Sequence, residues 1–124
     1  MICAIPYNIP SQNVVCRRNW RANHRDVVTI ENCARMFAKG ACNADGPRSL
    51  KIMSYRKQKI TDAANLVGGA KYFVDGLVRA GVLVDDNDKM AKITYDQRVL
   101  SELPDDLVSR FGRIPLTTFE IEDL

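Results

Sequence analysis

The longest helical periodicity in the chain runs from about Ala63 to Ala80, where Leu66, Ala70, Phe73, Leu77 and Ala80 fall on one face. Asp62 is placed to cap its start and Gly81 to stop it. Such a helix has to lay its apolar stripe on a second layer, and the flanking segments read as that layer. Residues 1 to 7 resemble a first strand, ended by Pro6 and Pro10. Leu50, Ile52 and Ser54 alternate with Lys51, Met53 and Tyr55 after the turn cluster Asn43-Ala44-Asp45-Gly46-Pro47. Val82-Leu83-Val84 reads as a short buried strand, Lys89 to Tyr95 as another, and Ile114 to Ile121 as the last. An earlier helix is expected over Asp26 to Lys39, with Val27, Ile30, Ala34 and Phe37 on one face, Asp26 as cap and Gly40 as terminator. A short one is expected around Pro104 to Phe111. The expected fold is α+β: a single domain over residues 1–124, a mixed β-sheet of about four or five strands with packed helices.

Composition supports a core that needs no disulfides, since 46% of the 124 residues are hydrophobic and 27% charged. No uncharged apolar stretch, that around Val82 to Val84 included, approaches the roughly 20 apolar residues a membrane helix requires. Met1-Ile2-Cys3-Ala4-Ile5-Pro6-Tyr7 has no basic segment leading into a longer apolar run, so no secretory signal is expected and the cytoplasm is the expected compartment. Cys3, Cys16, Cys33 and Cys42 form no CxxC pair and have only His24 as an imidazole partner. That pattern argues for reduced thiols in or near a core rather than a zinc site.

Charge is unevenly spread. Residues 1 to 60 hold 11 Lys and Arg against 3 Asp and Glu, whereas residues 61 to 124 hold 7 against 12. A basic half suggests a polyanionic partner, with pairing between the two halves of the fold as the competing explanation. Arg17, Arg18, Arg21 and Arg25 interleave with Trp20 and His24 in what reads as a loop. This mixture suits phosphate contact with base stacking, or else Trp20 is a core anchor and the arginines solvate the loop. On the 63–80 helix, Ala64, Gly68, Lys71 and Asp75 share a second face. Gly68 and Gly69 each cost about 1 kcal/mol relative to Ala, which close approach of a backbone, a second subunit or a phosphate would offset. Asp85-Asp86-Asn87-Asp88 gathers acidic and amide groups, but without the glycine and closing glutamate of an EF-hand.

The order of these signals over residues 2 to 98 resembles the RusA family of Holliday junction resolvases, small dimeric endonucleases of bacteriophages and prophages. The likeness begins with a strand followed by Pro10-Ser11-Gln12-Asn13, similar to the family's P-S-x-N opening. It continues through Tyr55-Arg56, Asp62-Ala63-Ala64-Asn65-Leu66, Lys71, Asp75, Leu77, Gly81 and Asp85-Asp86. The resemblance implies a homodimeric, divalent-metal-dependent endonuclease that nicks four-way junctions or other branched DNA in recombination and repair. It implies no membrane partner and a location in the cytoplasm of a bacterial host. Phosphodiester hydrolysis of this kind needs carboxylates that hold magnesium, or manganese in its place. By the resemblance, Asp62 and Asp86 would be metal ligands, with Asp85 adjacent and Asp75 in support, and Lys71 would act at the scissile phosphate. Asn13, Arg18, Arg21, Arg25, Arg56, Lys57 and Asn65 would bind DNA.

Many family members carry D-x-D-N at the helix start, whereas here Ala64 stands at the third position. Three readings follow: a branch of the family that relies on Asp62, Asp85 and Asp86 with Asp75, a junction-binding protein with weak or no cleavage, or an introduced Asp-to-Ala change. Taken singly, Asp62 is explained as a helix cap and Asp85-Asp86 as a polar turn.

Overall fold

A computed structural model describes residues 1–124 as one α+β domain built on a four-stranded mixed sheet. The strands are β1 (Ile2–Ile5), β2 (Arg48–Arg56), β3 (Ala91–Val99) and β4 (Leu116–Asp123), in spatial order β1-β4-β2-β3. β4 runs antiparallel to both β1 and β2, while β2 and β3 are parallel. A parallel pair needs a crossover, which α3 (Ala63–Gly69) and α4 (Lys71–Ala80) provide. α1 (Gln12–Arg17) and α2 (Trp20–Phe37) precede β2, and α5 (Asp105–Phe111) lies between β3 and β4.

The alternation in β2 puts Leu50, Ile52 and Ser54 into the interior, leaving Lys51 exposed and Met53 and Tyr55 half-buried. Ile5, Ile30, Phe73, Leu77 and Phe119 complete the centre of the core. Phe73 stacks on Tyr7 at 6.0 Å between ring centroids and meets Phe119 edge-on at 6.3 Å. α4 packs closely on α2 because Gly76 leaves the room: a Cβ there would lie 2.5 Å from that of Ile30. A smaller cluster of Ala4, Leu103, Leu107 and Leu116 seats α5 on the opposite side of the sheet.

Four expectations need correction. The first long helix begins at Trp20, six residues before Asp26, and Asn19 caps it by accepting the Ala22 N–H at 2.9 Å. Its opening turns are basic and solvated, which hides their helical character from apolar periodicity. Asp26 therefore lies inside α2, where it accepts hydrogen bonds from the Tyr7 hydroxyl (2.9 Å) and the Arg18 guanidinium. Burial, and then the bond to Asp26, push the Tyr7 hydroxyl far above its usual pKa. The segment after Pro10 is likewise helical, with Ser11 capping α1.

The 63–80 helix is two helices meeting at Ala70. A Cβ on Gly69 would fall 1.8 Å from the Pro10 carbonyl oxygen, so the glycine admits that backbone and α3 packs beside α1. The glycine pair is thus explained by close approach within the chain. Asp62 does cap, its Oδ1 accepting the Ala64 N–H at 2.9 Å, and Gly81 does stop the helix at φ +86°. Val82 and Leu83 are buried as expected, but the segment is not a strand. The Val82 N–H returns to Leu77 O, and its carbonyl accepts from Arg48. No helix is long and apolar enough to cross a membrane.

Candidate functional site

Three cavities gather the charged and aromatic groups. The first is a cavity of about 500 Å³ walled by Trp20, His24, Tyr72, Asp75, Asp85 and Asp86, among others. α4 delivers Asp75, the loop following α4 delivers Asp85 and Asp86, and the N-terminal turns of α2 deliver Trp20 and His24. Burial raises the Asp75 pKa, nearby Lys71 opposes the shift and the Asp86 charge adds to it. Lys71 and Asp86 are therefore each within electrostatic reach of Asp75. Asp86 also reinforces the upward shift that burial imposes on Tyr95. Asp85 is occupied locally, with Oδ1 accepting the Asp86 N–H at 2.7 Å and Oδ2 accepting from Asn87 Nδ2 at 3.1 Å.

Asp62 stands outside this cavity, exposed, at the start of α3. No three His, Cys, Asp or Glu side chains converge as a metal cage. Burial raises the thiol pKa of Cys3, Cys33 and Cys42, away from thiolate chemistry. Magnesium makes a smaller demand: one or two carboxylates, retained water and substrate phosphate suffice. In the first cavity Asp75, Asp85 and Asp86 would be the carboxylates available to it.

The second cavity, about 480 Å³, lies next to the first and shares Trp20 and Tyr72 with it. Its wall includes Gln12, Arg18, Asn23, Gly68 and Lys71. Trp20 is 72% exposed, so the core-anchor reading of this residue is overturned. The Arg21 guanidinium lies over its ring at 5.8 Å, and the His24 ring is 6.4 Å away. Arg21 and Arg25 line a further depression on the same flank with Asn19, Trp20 and His24. Arg18 is paired with Asp26, which removes part of its charge from solvent.

The third cavity, about 450 Å³, is polar and basic, with Arg56, Lys57, Lys59, Asn8 and Ser11 in its wall. Arg56 is only 9% exposed and makes no ion pair. Nη1 donates to Ile9 O at 2.6 Å and to Ser54 Oγ at 3.2 Å, and Nε donates to Gln58 O at 3.0 Å. Nη2 has no protein partner, yet it is not sealed from solvent. Burial without a counter-charge lowers the Arg56 pKa, the sign of a cation that would gain from an anion. Asn13 is exposed on α1 and Asn65 is half-buried on α3, outside all three cavities.

The ion pairs also bear on the charge asymmetry. Only Arg48–Asp123 joins a base of the first sixty residues to an acid of the remainder. Arg17, Arg21, Arg25, Lys57 and Lys59 have no acidic partner, so pairing between the halves does not account for the basic excess. Sequence reasoning missed Asn23, Tyr72 and Lys59. Lys59 was visible in the basic run after Tyr55, whereas nothing local distinguishes Asn23 or Tyr72. Neither a protein-family model nor a curated protein matches the chain.

Proposed function

We propose that the chain is a magnesium-dependent endonuclease that nicks four-way junctions or other branched DNA, as its resemblance to the RusA resolvases implies. The observation that carries this reading is the grouping of Asp75, Asp85 and Asp86 in one cavity beside exposed Trp20, with unpaired Arg21 and Arg25 on its flank. Asp75 and Asp86 would hold the metal, with Asp85 adjacent. What magnesium supplies when bound is polarisation of a phosphate oxygen and a lowered pKa for an attacking water. Lys71, whose charge already acts on Asp75, would stabilise negative charge developing on the phosphate. Arg21, Arg25, Arg56 and Lys57 would track the DNA backbone, supplying affinity without reading sequence. A homodimer would place two such sites across a junction and account for paired cuts, in the cytoplasm of a bacterial host.

A second reading, junction binding with weak or no cleavage, is favoured by two observations: Ala64 replaces an expected carboxylate, and Asp62 stands apart from the other acids. The test is incubation with a labelled four-way junction and a matched linear duplex, in magnesium, manganese or chelator. Symmetric metal-dependent nicks on the junction are expected, and Asp86→Asn should cut at least about 100-fold more slowly while still binding. Tight binding without nicks in either metal establishes the second reading, and Ala64→Asp then shows whether one carboxylate restores cleavage. Full activity in Asp86→Asn would falsify the assignment of the acidic cavity.

A further inference from the structure

Arg56 is the one buried residue in the wall of the third cavity: Asn8, Lys57, Gln58 and Lys59 are exposed, and Ser11, Ile60 and Pro115 half-buried. No Asp or Glu lines that cavity, so three cations share it without an acid. Water screens the two lysines, whereas Arg56 has given up hydration for neutral oxygens alone. Its guanidinium is nevertheless fixed. Nη1 and Nε are held by Ile9 O, Ser54 Oγ and Gln58 O, which belong to the segment after β1, to β2 itself and to the segment after β2. Nη2 is left without a protein partner and open to solvent. A cation held in place before its ligand arrives binds an anion without the cost of being ordered by it.

Charge and connectivity narrow the anion. A phosphodiester within a strand brings a single negative charge, which leaves most of the basic wall unbalanced, and its chain must leave on both sides. A phosphomonoester carries close to two charges at pH 7, presents three terminal oxygens and leaves on one side only. The Ser11 hydroxyl and the amides of Asn8 and Gln58 add neutral donors to the same wall. We propose that this cavity is a phosphate site for a phosphomonoester dianion, with Arg56 as its buried cation and Lys57 and Lys59 completing the charge, filled by free phosphate or by the phosphorylated end of a DNA strand. The DNA-cleaving reading asks only diester contacts of Arg56 and Lys57, so the assignment goes beyond it and needs neither the metal nor the acidic cavity.

The experiment is run in chelator at constant ionic strength. Anisotropy follows a labelled single-stranded oligonucleotide ending in a 5′-phosphate or a 5′-hydroxyl, with inorganic phosphate as competitor, and calorimetry follows inorganic phosphate alone. The phosphorylated strand should bind on the order of tenfold more tightly than the hydroxyl strand, and inorganic phosphate should erase that difference. Arg56→Met should abolish the difference, and Lys57→Gln combined with Lys59→Gln, at exposed positions outside the core, should reduce it several-fold. Inorganic phosphate that binds as tightly as the phosphorylated strand establishes the site and assigns it to free phosphate. Phosphate binding with neither strand bound keeps the site and removes the DNA reading. Equal affinity of the two strands, with no phosphate binding in calorimetry, overturns the monoester site and leaves the DNA reading standing on diester contacts. Phosphate or strand-end binding that survives both sets of substitutions places the anion elsewhere and overturns the assignment to this cavity.

Discussion

The two ends of β2 each bury an arginine, and the two are treated oppositely. Arg48 is 5% exposed, and all three of its guanidinium nitrogens are used. Nε donates to Asp123 Oδ1 at 2.8 Å, Nη1 to the carbonyls of Ala41 and Val82, and Nη2 to Asn43 Oδ1 at 2.6 Å. It ties the turn before β2, the segment leaving α4 and the end of β4 into one corner. Arg56, at the other end, binds neutral oxygens only, has no carboxylate, and lines a cavity with Lys57 and Lys59. The same residue type thus serves once as a closed clamp and once as a buried cation with no counter-charge in the chain. Burial alone does not separate the two roles; the partner inventory does.

The comparison predicts different losses. Arg48→Met should show the largest effect, about 3 kcal/mol of stability, because the buried Ala41 and Val82 carbonyls lose their donor together with the Asp123 pair. Thermal unfolding would read this as a drop of roughly 10 °C or more for a chain of this size. Arg56→Met should cost only about 1 kcal/mol, since removing an uncompensated buried charge offsets the lost bonds to Ile9 and Gln58. Its signature lies in DNA binding: weaker affinity for every sequence, and a plot of log affinity against log salt flatter by about one unit. Equal stability losses for the two variants, with an unchanged salt slope for Arg56→Met, would make both arginines structural and dissolve the contrast.

How much of this was legible in the sequence depended on whether the cause was local. The Asp62 cap and the Gly81 stop were legible because each is settled within a few residues of itself. The four strands were found with shifted ends, β3 running on to Val99 and β4 starting at Leu116 rather than Ile114. The break at Ala70 was not legible, because it answers to the Pro10 carbonyl sixty residues away in sequence. The start of α2 at Trp20 was missed for a different reason: a solvated helical turn rich in arginine has the composition of a loop. The grouping of Asp75 with Asp85 and Asp86 was implied by the resemblance alone. The separation of Asp62 from them was not, although the thirteen residues between Asp62 and Asp75 correspond to about 20 Å of helix. The missing counter-ion of Arg56 is a property of its surroundings, and no residue pattern announces it.

The smallest effect tests the clamp from its partner's side. Asp123 is 77% exposed at the end of β4, so its charge is largely screened by water. Asp123→Asn keeps an oxygen that can accept from Arg48 Nε and leaves the bonds to Ala41, Val82 and Asn43 intact, so the cost should be about 0.5 kcal/mol and should shrink further at high salt. Chemical denaturation at low and high ionic strength would resolve it. A loss as large as that of Arg48→Met would mean that the carboxylate, and not the carbonyls, holds Arg48 in place. Arg56, buried with carbonyls and a hydroxyl alone, would then be the position that cannot keep its conformation without a bound anion.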